Sequence, residues 1–162
     1  MEAYQRAYFG CAKDGKPFYI DRSGCIDVKG IKSAVGGDAN INRMWLRYIH
    51  SYEELLKLRF YANSVVFGRQ IDKTRTVVDL AGFSVGKLWN KETTAFVKTA
   101  SKIGQDYYPE MMGGMFIINA PMAFTAIWAV IKGWIDEKTR NKVAILGGEK
   151  KYMPKLTELV DI

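Results

Sequence analysis

No charged residue occurs between Glu110 and Lys132, and this run constrains the fold more than any other feature of the chain. A stretch of that length is enough for a helix crossing a bilayer. It is interrupted, however, by Asn119-Ala120-Pro121. The residue before a proline is pushed out of the helical region, while proline itself suits the first turn of a helix. The pattern therefore predicts a strand, Gly114 to Asn119, and a separate helix starting near Pro121. Each piece is too short to span a membrane.

The rest of the chain alternates in the same way. Pro17-Phe18-Tyr19-Ile20 follows the turn Asp14-Gly15-Lys16 and reads as a first strand. Asn42 to Phe60 follows a helical period through Met44, Trp45, Tyr48, Ile49, Tyr52, Leu55, Leu56 and Leu58. Thr74 to Leu80 is a β-branched strand. A helix is expected from Asn90 to Tyr107, with Phe96, Val97, Ala100 and Ile103 on one stripe. Lys142 to Leu146 is a further strand, and Met153 to Leu159 a last helix. The Gly-rich segment Gly24 to Gly37 gives no clear signal. Alternation at this spacing predicts one α/β domain with a largely parallel sheet and helices packed on it.

Chemistry is mostly excluded. Gly82-Phe83-Ser84-Val85-Gly86 matches a G-x-S-x-G nucleophile elbow after a strand, but the one histidine, His50, precedes Ser84 rather than following it. A serine hydrolase using Ser84 is therefore a remote alternative. One histidine and two distant cysteines, Cys11 and Cys25, make no zinc set. Gly82 to Lys87 is one residue short of a phosphate loop, with Leu88 where a hydroxyl would hold magnesium. The chain does not read as an enzyme and calls for no cofactor. With no export signal at the N-terminus and two unremarkable thiols, it reads as cytosolic. Its formal charge of +7 suits acidic partners. The basic residues are scattered, without the aromatic interleaving of an RNA-binding strand, so nucleic acid is not expected.

Five segments in order carry a resemblance. They are Asp14-Gly15-Lys16-Pro17-Phe18-Tyr19-Ile20, Val77-Val78-Asp79-Leu80-Ala81-Gly82, Tyr107-Tyr108-Pro109-Glu110, Phe116-Ile117-Ile118-Asn119-Ala120-Pro121 and Lys142-Val143-Ala144-Ile145-Leu146-Gly147. Together they resemble the CRAL-TRIO lipid-binding family, particularly its phosphatidylinositol/phosphatidylcholine transfer branch. The resemblance implies one domain over residues 1–162, whose mixed, largely parallel sheet floors an apolar lipid pocket closed by a mobile gate helix. The helical segment that precedes such a domain, and the Leu-Pro…Phe-Gly-Gly segment that follows it, are not expected within these residues.

Matching positions imply that Glu110, Thr139 and Lys142 serve a phosphoinositol headgroup, and that Tyr19, Tyr52, Thr74 and Thr76 serve phosphocholine. The residue types suit these roles. Lysine is a compact cation for phosphate, and a quaternary ammonium is recognised by aromatic faces. The gate helix would bring Phe124, Ile127, Trp128, Ile131 and Trp134, spaced for one side of a helix, to acyl chains and membrane, with Lys132 beside them for anionic headgroups. Met111 departs from the family, which commonly has a basic residue there. The implied function is exchange of a phospholipid between membranes by a monomer in peripheral contact with their cytoplasmic surface. Alternatives are a carrier of a retinoid, tocopherol or sterol-precursor type of ligand, and a lipid-regulated membrane-recruitment module.

Overall fold

The β-branched and aromatic runs assemble into one five-stranded sheet in a computed structural model that describes residues 5–34, 36–37 and 41–161, with backbone only at 28, 29, 32, 41, 87 and 88. The absence of an export signal rests partly on residues 1–4, and the phosphate-loop comparison ends at the Lys87 side chain. Both lie outside the described residues, as does position 35 within the Gly-rich segment.

The strands are β1 (Arg6–Cys11), β2 (Pro17–Asp21), β3 (Thr74–Asp79), β4 (Met112–Ile118) and β5 (Val143–Ile145), in the order β1-β2-β3-β4-β5. β1 runs antiparallel to β2, and every other neighbour is parallel. Parallel strands in sequential order need crossovers of one hand, so the intervening helices collect on one face. These are α1 (Val28–Ala34), α2 (Ile41–Glu54), α3 (Phe60–Phe67), α4 (Val85–Leu88), α5 (Lys91–Tyr107), α6 (Phe124–Ile131) and α7 (Glu137–Arg140). The last helix, α8 (Glu149–Leu159), covers the other face. There Phe18, Val77 and Ile118 pack with Tyr152, Leu156 and Val160.

Several elements differ from expectation. β1 was not anticipated. It is an edge strand with Phe9, Gly10 and Cys11 exposed, so it carries no inward alternation to read. Part of the Gly-rich segment is ordered as a 3-10 turn (Ser23–Cys25) and α1. The single helix expected from Asn42 to Phe60 continues to Phe67 and changes to π geometry over Leu55–Arg59. That change turns the apolar stripe: Leu55 is buried, while Leu56 and Leu58 are exposed. Gly68, in the left-handed region at φ 61°, ends α3. The last helix begins one turn earlier than expected, with Pro154 inside it.

On the face carrying α2, α5 and α6 the apolar side chains form two clusters instead of one core. Leu55, Phe60, Ile71 and Met111 gather where β3 and β4 begin. Leu80, Ile117, Phe124 and Ile127 gather where those strands end. Met111, in the position of a basic residue, is thus a core side chain. The two clusters act as pillars and hold a space open between helices and sheet.

Candidate functional site

That space is a cavity of about 740 Å³. Its floor follows from strand register. Tyr8, Tyr19, Thr76, Met115 and Val143 pair successively across all five strands, and all five line the cavity. The alternate row, Ala7, Ile20, Val77, Phe116 and Ala144, points to the α8 side. One row further along, Arg6, Asp21, Val78 and Ile117 face the cavity again. The roof is made by Tyr48, Ser51, Tyr52 and Leu55, by Thr93, Phe96, Val97 and Ala100 of α5, and by Phe124, Ile127, Trp128 and Ile131 of α6. Asn90 fixes the start of α5, accepting hydrogen bonds at 3.0 Å from the backbone of Glu92 and Thr93.

Every site residue anticipated from the sequence lines this one cavity except Trp134. Trp134 lies beyond the end of α6, in the following turn, and stacks on Trp89 at 6.1 Å. It is therefore not on the stripe expected of it. Phe124 and Ile127 of α6 are about 5 % and 4 % exposed and pack with Leu80 and Ile117, while Met122 and Val130 face outward.

Glu110, Thr139 and Lys142 come together at one end. The Lys142 ammonium donates to Glu110 Oε2 at 2.9 Å, and Lys138 stands 3.9 Å from Oε1. The hydrogen bond and charge of Lys142 hold the Glu110 carboxyl below its usual range. Glu110 has φ 61°, a strained value for a residue with a Cβ. Thr139 is in α7, and Lys142 follows the helix, its backbone N–H donating to the Thr139 carbonyl at 3.1 Å. Asp136 caps α7 by accepting the Thr139 N–H, and the Thr139 side chain and backbone together hold its carboxyl below the usual range. Gln105 of α5 ties this loop down, donating to the Trp134 carbonyl and accepting from the Asp136 N–H. Lys142 is 24 % exposed and Glu110 54 %, so this end is a mouth open to solvent.

Tyr19, Tyr52, Thr74 and Thr76 belong to a tyrosine-rich end. Tyr8 packs on Tyr19 with ring centres 4.9 Å apart, and Tyr52 stacks on Tyr108 at 4.4 Å. Tyr48 and Tyr52 meet edge to face, their hydroxyls 3.2 Å apart. Burial pushes the Tyr8 phenol up to about 12 and that of Tyr19 higher still, so both stay protonated donors. Thr74 is buried with its hydroxyl 3.4 Å from the Met111 carbonyl. Tyr8, Tyr48, Tyr108 and Arg6 were not anticipated. The helical period did include Tyr48, but only the β1–β2 register brings Tyr8 and Arg6 to the cavity.

The motif segments also explain one another. Asn119, at φ 54°, donates through Nδ2 to Asp79 Oδ1 at 2.8 Å, and the same oxygen accepts the Ala81 N–H. Asn119 can adopt the left-handed turn more readily than most residues, which lets the chain leave β4 and begin α6. Ser84, in contrast, has ordinary extended geometry (φ −127°, ψ 125°), where a nucleophile elbow would be strained. Neither Ser84 nor the exposed His50 lines the cavity. Cys11 and Cys25 are free thiols. Among the described residues, no helix is long and apolar enough to cross a membrane.

Comparison with known proteins gives a consistent result. The CRAL/TRIO domain pattern matches residues 5–162. The chain is 35 % identical over 161 residues to the phosphatidylinositol/phosphatidylcholine transfer protein SFH7 of Arabidopsis thaliana, covering 99 % of this chain and 28 % of the relative. It is 35 % identical over 148 residues to the Sec14 cytosolic factor of Schizosaccharomyces pombe, covering 91 % and 50 %. The chain thus spans no more than half the length of either relative. The crystal structure of Sfh5 superposes with a TM-score of 0.61 at 23 % identity, over 89 % of this chain and 46 % of that one, which shows a shared fold.

Proposed function

Because the chain belongs to the CRAL/TRIO domain family, we propose that it binds one phospholipid molecule and exchanges it between membranes, acting without catalysis. The observation that carries this reading is the cavity of about 740 Å³, lined mostly by apolar side chains, with Glu110, Thr139 and Lys142 together on its wall. Such a volume falls in the range of specific small-molecule sites. Relatives bear names describing phosphatidylinositol and phosphatidylcholine transfer, and the mouth formed by Glu110, Thr139 and Lys142 has the donors for a phosphoinositol group.

Physical cost explains the architecture. Each acyl methylene left in water costs about 0.8 kcal/mol, so two chains with roughly thirty methylenes hold a lipid in its bilayer by on the order of 20 kcal/mol. A carrier must present an apolar surface of similar quality throughout the exchange. α6 is the element suited to open: Phe124, Ile127, Trp128 and Ile131 cover the cavity. On opening they would meet the acyl region, with Lys132 near anionic headgroups. The protein then works as a peripheral membrane carrier at the cytoplasmic face. The test is transfer of labelled phosphatidylinositol between vesicles by the wild type and by a Trp128→Ala/Ile131→Ala variant. Transfer by the wild type with a severalfold slower rate in the variant is expected. No transfer, or equal rates, would overturn the proposal.

A further inference from the structure

Gln105 holds the joint between α6 and α7 with both ends of one side-chain amide. Its Nε2 donates to the Trp134 carbonyl at 3.0 Å, and its Oε1 accepts the Asp136 N–H at 2.8 Å. The second Nε2 hydrogen goes to the Ser101 carbonyl, one turn back on α5, at 3.1 Å. Two carbonyls and one N–H around the amide fix which end is which, and both donors are used. The side chain is thus fastened to α5 while it grips a segment that begins three residues past the end of α6.

From that grip a continuous chain of hydrogen bonds leads to the headgroup residues. Asp136 Oδ1 accepts the Thr139 N–H at 2.9 Å and starts α7. The Thr139 carbonyl accepts the Lys142 N–H at 3.1 Å, and the Lys142 ammonium meets Glu110 at 2.9 Å. In the other direction, the N–H groups of Lys132, Gly133 and Trp134 close onto the Trp128, Val130 and Ile131 carbonyls of α6. Trp128 and Ile131 line the cavity. A movement of α6 that carries Trp134 with it must break the Gln105 bonds, and a ligand that orders α7 holds them in place. By linkage the coupling is reciprocal: whatever steadies the headgroup loop steadies the end of α6 by the same free energy.

We infer that Gln105 is a positioning residue, which couples occupancy of the mouth at Glu110, Thr139 and Lys142 to the position of α6. A phosphoinositol headgroup then helps to retain its own lipid. This rests on the proposal that the cavity holds a phospholipid beside α6. The test follows amide exchange by NMR in the full chain, empty and loaded from phosphatidylinositol vesicles. It compares the wild type with Gln105→Met, which keeps the length of the side chain, and with Gln105→Glu, which keeps only the acceptor. In the empty chain the Asp136 amide should exchange about tenfold faster in Gln105→Met than in the wild type, and Gln105→Glu should retain its protection. The Lys132, Gly133 and Trp134 amides should exchange severalfold faster in both variants. Loading should slow all four amides severalfold in the wild type and should leave Trp134 and Asp136 unslowed in Gln105→Met. Wild-type amides that ignore bound phosphatidylinositol would overturn the inference, as would equal slowing in Gln105→Met. If Gln105→Met does not fold, Gln105→Glu decides, and wild-type exchange rates at Lys132, Gly133 and Trp134 would overturn the inference. A wild type that takes up no phosphatidylinositol would refute the phospholipid proposal itself, while the empty-chain comparison separately tests whether Gln105 holds α6.

Discussion

Replacing Lys142 by alanine separates headgroup recognition from folding. The Lys142 side chain is 24 % exposed and its ion-pair partner Glu110 is 54 % exposed, so the pair resembles surface ion pairs that add little to stability. The melting temperature should therefore be nearly unchanged. Ligand binding should not be. A charge-assisted hydrogen bond to a phosphate is worth about 1.5–3 kcal/mol, which corresponds to about a 10- to 150-fold loss of phosphatidylinositol affinity. The loss should lie toward the upper end, because the Glu110 carboxylate would then face the phosphate without its nearest cation, Lys138 standing 3.9 Å away. A lipid occupying the tyrosine-rich end, across the sheet, makes no use of Lys142. Transfer assays with phosphatidylinositol and phosphatidylcholine as separate cargoes read the difference. Equal loss for both cargoes would show that Lys142 maintains the fold and would refute the headgroup argument.

Two predictions concern the scaffold. Burial raises the Asp14 pKa, but the hydrogen bonds from Lys16 at 2.6 Å and Arg75 at 2.7 Å outweigh it and hold the carboxyl below its usual range. A depressed carboxylate contributes stability above its unfolded pKa that is lost as pH falls through the folded value. Asp14→Asn should therefore cost about 1–2 kcal/mol at neutral pH, after discounting for its 29 % exposure. Denaturant titrations of the two proteins should converge in acid; a constant difference would contradict the assignment. Gly24 is buried under the chain after β3, where an added Cβ would run into the Ala81 carbonyl oxygen and come within 2.7 Å of that of Leu80. Gly24→Ala should cost about 1–3 kcal/mol, read as a lower denaturation midpoint.

The parallel strands were legible because buried β-branched runs bounded by Gly, Pro and Asn have few other uses. Asn119-Ala120-Pro121 was the most informative signal, since proline chemistry alone split the uncharged run into β4 and α6. β1 was not legible. An edge strand with one solvent-facing side and a glycine lacks the pattern on which strand recognition depends. The π turn over Leu55–Arg59 was hidden for a different reason: it is a change in backbone hydrogen bonding, with Phe60 N–H reaching the Leu55 carbonyl, and the side-chain period on either side stays helical. The headgroup residues drawn from the family resemblance do converge on one cavity. Local pattern could not supply Tyr8 and Arg6, because their position depends on the register of a strand it had not revealed. Trp134 was misjudged because the helix ends at Ile131, three residues before it.

Native mass spectrometry of the protein purified directly from cells tests the central claim most directly, with the released ligand identified by fragmentation. The account predicts one phospholipid per chain, bearing a phosphate headgroup. A protein that is consistently ligand-free, or one that carries a hydrophobic ligand without phosphate, would contradict it.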